Sequence, residues 1–377
     1  MKLTKLSLLA IMALSSSSYA ADTLAEAFKD GKVNGSIKAM YWDREIPAGE
    51  ASLLTMGLRL GYETASLNGL VFRAEAQSSS SPFADDEAKT VFGKTAFGGD
   101  MYGPGAVLSE ANLSYTLYNT NLRVGRMYLD TPVVASSGNR MIKQSFEAAT
   151  IVNKDLENTI LTAAYVQKFQ DRTDGAGNIP DFNKFNDDGA YALSIETKIA
   201  EGLDLTLAYL DNVDVTEVIF AQVNYDMGMF DVGAQYYYSE DEGQDDTNLI
   251  TFKAGVKVGD AYFHGAYSKV DDDGKVQFGL GGGADRAYAG SLIYSPNYDA
   301  NTETYQVGAA YDISDNAFVK AMYTQTDDDI NEYSYVSFLG RYAFSGSLKG
   351  LSAVVLLENE GKDGDKKDWR FNLSYDF

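Results

Sequence analysis

From Lys32 onward, apolar and polar residues alternate with a period of two. At the C-terminus Trp369, Phe371, Leu373, Tyr375 and Phe377 alternate with Asp368, Arg370, Asn372, Ser374 and Asp376. Leu54, Met56, Leu58, Leu60 and Tyr62 alternate in the same way with Thr55, Gly57, Arg59, Gly61 and Glu63. The pattern returns over 250–257 and 304–311. Alternation sustained over about ten residues predicts strands with one apolar and one wet face. About 18 such segments occur, beginning near 32, 52, 68, 107, 121, 144, 158, 189, 203, 215, 229, 248, 260, 303, 317, 333, 350 and 368.

The connections have their own rhythm. Every second one is short, as at 119–120, 200–202 and 259–260. The others are mostly long and acidic, as at 78–106, 170–188, 239–248, 271–301 and 358–367. Short turns on one side and long loops on the other are the plan of an outer-membrane barrel. By strand parity the apolar face carries Tyr41, Tyr165, Tyr209, Tyr236, Tyr267 and Tyr323 toward the long loops. It carries Tyr62, Tyr225, Tyr311, Tyr342 and Tyr375 toward the short turns. Two such rings fit the two water–lipid boundaries. The terminal Phe377 resembles the end signature that assembly machinery reads in outer-membrane proteins. The expected fold is therefore all-β, a transmembrane antiparallel β-barrel of about 18 strands over 32–377, with 16 as the alternative count. Such a barrel must close, because lipid cannot satisfy an open strand edge, and at this size it leaves an aqueous lumen.

Residues 1–20 run from Lys2 and Lys5 through an apolar stretch to Ser18-Tyr19-Ala20. A charged start, an apolar centre and a small-x-small end predict a signal peptide cleaved after Ala20. Residues 21–31 then form a short periplasmic segment, in which Thr23 and Glu26 have the spacing of a helix capping box. The expected location is the outer membrane of a Gram-negative bacterium.

Composition narrows the chemistry. The chain has no Cys and one His, which excludes disulfides, thiolate sites and His-rich metal clusters. With 31 Lys+Arg against 54 Asp+Glu, the net charge of −23 argues against nucleic acid as a partner. A mean hydropathy of −0.24 argues against membrane-spanning helices, but not against a barrel whose strands are half apolar. The acids cluster in loops, as in Asp85-Asp86-Glu87, Glu240-Asp241-Glu242, Asp271-Asp272-Asp273 and Asp327-Asp328-Asp329. They read as solvated loops, with weak Ca²⁺ bridging to lipopolysaccharide as the alternative. No cofactor or resident metal is called for.

Inward parity falls on a set of bases: Arg59, Arg73, Arg123, Lys253, Lys257, Lys320, Arg341 and Arg370. It also falls on the acids Glu63, Glu75, Glu110, Glu196, Glu358 and Asp368. A mixed wall is a solvated polar face or a basic track for carboxylate groups, since fixed charge sets pore selectivity. Arg126 breaks the pattern. Straight alternation turns it toward lipid, where an arginine at mid-depth costs about 2–4 kcal/mol, so a bulge or a strand end is expected there.

The third long loop, from Gly125-Arg126 through Leu129-Asp130-Thr131-Pro132 and Arg140 to Phe146-Glu147, is less acidic than the others. These residues resemble the OprD-like family of outer-membrane porins, and the segment from Thr23 to Val33 resembles its campylobacter-type branch. The resemblance implies an 18-stranded barrel, an inward-folded third loop and a basic ladder. It implies a constriction near Asp130, Arg140 and Lys143, and passive diffusion of small hydrophilic solutes and ions, with carboxylate-bearing solutes favoured. Gln144 and Ala148 depart from the family's usual Pro and Gly. The implied partners are outer-membrane lipid, lipopolysaccharide and small solutes, and the chain is a monomer or a homotrimer. The competing readings are a surface adhesin or antigen working through its acidic loops and a barrel hydrolase. The second has only His264 as an imidazole base and no serine that pairs with it.

Overall fold

The computed structural model describes residues 21–47, 49–83, 104–174, 178–294 and 298–377. The expected signal peptide and the acidic run at 85–87 lie outside the described residues. The first element, α1 (Leu24–Lys29), has the expected capping box. Glu26 N donates to Thr23 Oγ1 at 3.2 Å, and the Glu26 carboxylate accepts from Thr23 N.

The strands follow in chain order. They are β1 (Lys32–Ile46), β2 (Gly49–Glu63), β3 (Leu70–Ser80), β4 (Gly105–Leu117), β5 (Thr120–Met127) and β6 (Ser145–Asn153). Next come β7 (Thr159–Gln170), the two-residue β8 (Asn183–Lys184), β9 (Ala190–Ala200), β10 (Leu203–Asn212), β11 (Thr216–Asp226) and β12 (Phe230–Asp241). The rest are β13 (Thr247–Val258), β14 (Ala261–Val270), β15 (Glu303–Ser314), β16 (Ala317–Asp327), β17 (Glu332–Ala343), β18 (Leu351–Lys362) and β19 (Lys367–Asp376). Each wall strand pairs antiparallel with its neighbour, and β8 only extends the top of β7, which pairs directly with β9. Among the described residues the wall is therefore a closed barrel of 18 strands. β1 closes it on β19, from Ser36 opposite Asp376 to Glu45 opposite Lys367. Gly35 and Phe377 then exchange two backbone hydrogen bonds of 3.0 Å. In hydrocarbon each unpaired backbone group costs several kcal/mol, so this seam is what allows the sheet to sit in lipid.

The faces sort as the period requires. Met56, Leu58, Leu60, Val307, Phe338 and Phe371 stand exposed on the outer face, while Thr55, Gln306, Ser337 and Arg370 are buried on the inner one. Outer-face aromatics meet across strands, as in Tyr41–Trp369, Tyr165–Tyr191 and Tyr267–Tyr305, with centroids 4.8–5.1 Å apart.

The inner face is not polar throughout, and here the sequence reading is corrected. Val166, Leu210, Val218, Phe220, Tyr237, Leu249 and Val270 share one buried apolar cluster with Val133, Val134, Val276, Leu280 and Tyr298. The first seven belong to β7 and β10–β14, and the last five to the two connections at 128–144 and 271–302. The second connection was read as an acidic, solvated loop. Its acids cluster only at its start, with Asp285 and Asp299 standing singly further on, and Asp271 in that cluster is engaged, accepting from Thr247 Oγ1 at 2.6 Å and Asn248 N at 2.7 Å. Its middle is apolar and pairs with the other connection. Val134 bridges Leu280, Ala135 N donates to Leu280 O, and Leu280 N donates to Val133 O. Gly281 has φ of +80°, and a Cβ there would collide with Ala135 O. The Gly281-Gly282-Gly283 run is thus a seam between loops.

Candidate pore constriction

The 128–144 connection meets inner-face side chains of β1–β3. Lys38 Nζ donates to Arg140 O at 3.1 Å. The Gln77 amide donates to Lys143 O at 3.0 Å and accepts from Lys143 N at 2.9 Å. Met141 covers Gly57, where a Cβ would strike its sulfur. Ser78 O of β3 would be struck as well, so glycine at 57 serves the close approach of the neighbouring strand and of the loop above it.

The three residues expected at a constriction do not stay together. Arg140 and Lys143 line a cavity of about 200 Å³ with Lys38 and Arg59, between β1, β2 and the loop. Asp130 instead binds the other connection: Arg286 Nη2 lies 2.6 Å from Asp130 Oδ1 and 3.0 Å from Thr131 O. Sequence reasoning missed both Arg286 and Lys38. Lys38 had a usable signal, because it shares the inward parity of Ser36 and Trp42 on β1.

The cations of the cavity are close enough to act on one another. Burial, with the Arg59 guanidinium beside it, pulls the Lys143 ammonium below the ordinary lysine value. Its Nζ sits 4.1 Å from the centre of the Tyr128 ring. Toward the long-loop end, Trp42 is fully buried, with Arg370 at 4.1 Å, Arg44 at 4.2 Å and Arg140 at 5.1 Å from its ring centre. Asp368 holds this stack. It accepts from Trp42 Nε1 at 2.7 Å, Arg44 Nε at 2.8 Å and Arg370 Nε at 2.8 Å. From Arg44 to Ser36, the partner of Arg59, is eight residues along β1, or about 26 Å of strand. Cations therefore recur along one side of the wall.

Other inward bases are tied up. Arg73 Nε is 2.6 Å from Glu110, and its other nitrogens are 3.5 Å from Glu75 and 3.6 Å from Glu63. Glu75 also takes the Tyr128 hydroxyl at 2.7 Å and Arg59 at 3.6 Å. A register shift in β4 opposite Glu75 and Ala76 puts Glu110 beside Glu75. Arg123 donates to Tyr128 O. Lys253 is 4.0 Å from Asp231, and Lys257 is 3.4 Å from Asp226. Arg370 is taken by Asp368, whereas Lys320 and Arg341, on the inner faces of β16 and β17, form no ion pair among the described residues. His264 meets Gln306 at 3.0 Å and stacks on Tyr262, with no serine partner among the described residues.

Arg126 does point outward, one residue from the end of β5. Glu147, directly opposite, lies 3.6 Å away and also takes Lys168 at 2.9 Å, while the Phe182 ring covers the guanidinium at 4.3 Å. The strand end and the paired carboxylate together remove the cost of an arginine facing lipid.

The chain resembles Acinetobacter baumannii OccAB1 at a TM-score of 0.79 and 15% identity, over 95% of this chain and 99% of that one. It resembles Pseudomonas aeruginosa OccK8 (OprE) at 0.77 and 16%, and OpdK, solved with vanillate, at 0.78 and 16%, each over 93% of this chain and 99% of that one. These likenesses show the barrel fold. No curated protein sequence matches the chain. A family model described as "outer membrane porin, OprD family" matches residues 109–318, more than half of the chain. The chain belongs to the OprD family of outer-membrane porins, and its place is the outer membrane of a Gram-negative bacterium.

Proposed function

We propose that this porin passes small hydrophilic solutes by diffusion and favours those carrying a carboxylate. The 128–144 and 271–302 connections form its constriction, joined by the Asp130–Arg286 pair. The observation that carries the reading is the cavity at their edge, where Lys38, Arg59, Arg140 and Lys143 converge. Fixed cations in a narrow, partly desolvated passage lower the energy of an anion more than they would in bulk water. Arginine forks suit a carboxylate's two oxygens. Lys320 and Arg341 lie toward the short-turn ends of β16 and β17, so a carboxylate moves between sites and is not held at one. OpdK, of the same fold, was solved with vanillate, itself a carboxylate.

The test is single-channel recording of the purified protein in a planar bilayer, with a salt gradient and then with a panel of dicarboxylates, amino acids and sugars. The expected result is discrete conducting steps, a reversal potential showing anion preference, and interruption of current by carboxylates at lower concentration than by neutral sugars. A barrel that conducts without preference would remove the carboxylate reading, and one that never conducts would remove the pore.

A further inference from the structure

We infer that Glu358 is the positioning residue that sets the aperture, by clamping the 291–294 stretch of the 271–302 connection to the wall. Glu358 lies on the inner face of β18 and is fully buried. Its Oε1 accepts from Ser291 Oγ at 2.9 Å, Ile293 N at 3.1 Å and Tyr294 N at 2.6 Å. Its Oε2 accepts from Leu292 N at 2.7 Å and from the Ser337 hydroxyl of β17. Three successive backbone N–H groups aimed at one carboxylate form an anion nest, and here the anion is the protein's own wall.

Among the described residues, the clamp is what holds the backbone beyond Ser291 to the wall. The segment from Arg286 to Tyr294 runs along the inner wall from β11 and β12 toward β18. Its start is tied by Gln235 Nε2 to Arg286 O at 2.9 Å and by the Tyr288 hydroxyl to Asn224 at 2.7 Å. Gln306 holds Gly290 O midway. Beyond Ser291 the side chains are Leu292, Ile293 and Tyr294, of which only Tyr294 carries a polar group, so the hold on the wall there is the backbone on Glu358. The Tyr294 ring then stands 5.6 Å from the Arg44 guanidinium and 5.2 Å from Lys366 Nζ, over the head of the cation series. Without the carboxylate three partly buried N–H groups lose their partner. The segment then moves to find other acceptors, while Gln235, Tyr288 and the Leu280 seam still tether its start. Val276 N on Tyr298 O holds the chain beyond it, so the freed stretch is tethered on both sides, and one that samples several positions in a pore gives several conductance levels.

This inference rests on the pore reading for its electrical consequence, so the test has a second readout that needs no current. Glu358→Gln, in the full chain, keeps size but turns an amide toward N–H donors. Glu360→Gln removes the same charge from the same face of β18, where Glu360 pairs with Lys366 at 3.2 Å outside the clamp. In bilayer recordings the wild type and Glu360→Gln should each hold one dominant level. Glu358→Gln should switch among levels, with current variance raised at least threefold. In parallel, protease should cut Glu358→Gln within 271–302 at least tenfold faster than wild type, with gel mobility before and after heating reporting a folded barrel. A single steady level together with wild-type cleavage would overturn the clamp. A wild type that conducts nothing would overturn the pore reading instead, and cleavage alone would then decide on Glu358. If Glu358→Gln does not fold, Ser291→Ala with Ser337→Ala strips two donors and keeps the charge, and it is judged by the same two readouts.

Discussion

Arg286 and Asp130 belong to different connections, 156 positions apart, yet Nη2 and Oδ1 lie 2.6 Å from one another. The pair joins the two connections at a point where each is otherwise held by backbone and apolar contacts. Both side chains are about three-quarters buried, so neither charge is fully solvated when the other is removed. Arg286→Ser should therefore do two things at once. It unties the connections, raising conductance by roughly twofold, and it leaves Asp130 as an uncompensated negative charge, moving the reversal potential toward cations. Asp130→Asn should share the first effect and reverse the second. Identical shifts from both variants would show that the pair acts through shape alone.

The cavity predicts a graded loss of selectivity. Arg59→Ser and Arg140→Ser should each lower the anion-to-cation permeability ratio by roughly twofold, and the double variant should exceed either. The effect should shrink between 0.1 M and 1 M salt, as the screening length falls from about 10 Å to about 3 Å. Arg73→Ser is the contrasting case, because Glu63, Glu75 and Glu110 already surround that guanidinium. Its removal should favour cations more strongly than loss of Arg59, since it exposes three carboxylates and not one. Reversal potentials across a tenfold salt gradient measure all of these.

The outer wall and the loops differed in how far they could be read. Lipid holds one face of every strand to apolar residues, so the period-two pattern survives even across loops of any length. Expected strand starts near 144, 158, 303 and 317 accordingly fall within one residue of those of β6, β7, β15 and β16. A loop packed inside a barrel obeys no period. Asp271-Asp272-Asp273 signals solvent, while Val276, Phe278 and Leu280 directly after it are the part that packs. The signal that could have found it lies in the wall. β11 is apolar on both faces, with Ile219 and Ala221 outward and Val218 and Phe220 inward. A strand facing open water inside would not place a phenylalanine there. Arg126 was misleading for the opposite reason: its parity was right, and what parity could not supply was Glu147 and Lys168 on the next two strands.

That inward phenylalanine makes its own prediction. Phe220 packs 4.6 Å from Tyr237, which meets Phe278 at 5.0 Å, which meets Tyr298 at 4.9 Å, centre to centre. Phe220→Ala should cost about 3–5 kcal/mol of packing. The cost falls on the connection and not on the barrel, because the strand ladder on either side of Phe220 is untouched. Proteolysis within 271–302 should accelerate well over tenfold, while heat-shifted gel mobility stays that of the wild type. Loss of the folded barrel would show that wall and connection fold as one unit.

On the outer face the expectation is a penalty that depends on depth. Val307 is 60% exposed, lies in the middle of β15 and has Tyr323 and Gly265 as its strand neighbours. Val307→Arg should destabilise the barrel in liposomes by about 2–4 kcal/mol, read from urea midpoints. Gln325→Arg, on the same face of β16 but near the long-loop end, should cost about 1 kcal/mol or less. Equal costs at the two sites would contradict a bilayer centred on β15.

Part of the pH dependence of selectivity should come from Lys143. Its ammonium is held below the ordinary lysine value by burial and by Arg59, so it loses its proton at a lower pH than an exposed lysine does. Deprotonation removes one of the four cations lining the cavity. Anion preference should thus be flat near neutral pH and fall in the alkaline range before exposed lysines titrate. The sign for stability is opposite: the folded state disfavours the charged form, so this lysine's contribution to folding improves as pH rises. Lys143→Arg should reduce the alkaline fall, because a guanidinium keeps its proton throughout, and what remains belongs to Lys38, the other lysine of the cavity. Lys143→Met should start from a lower preference and show the same reduced fall. A fall as large as the wild type's in both variants would remove Lys143 from the selectivity of the pore.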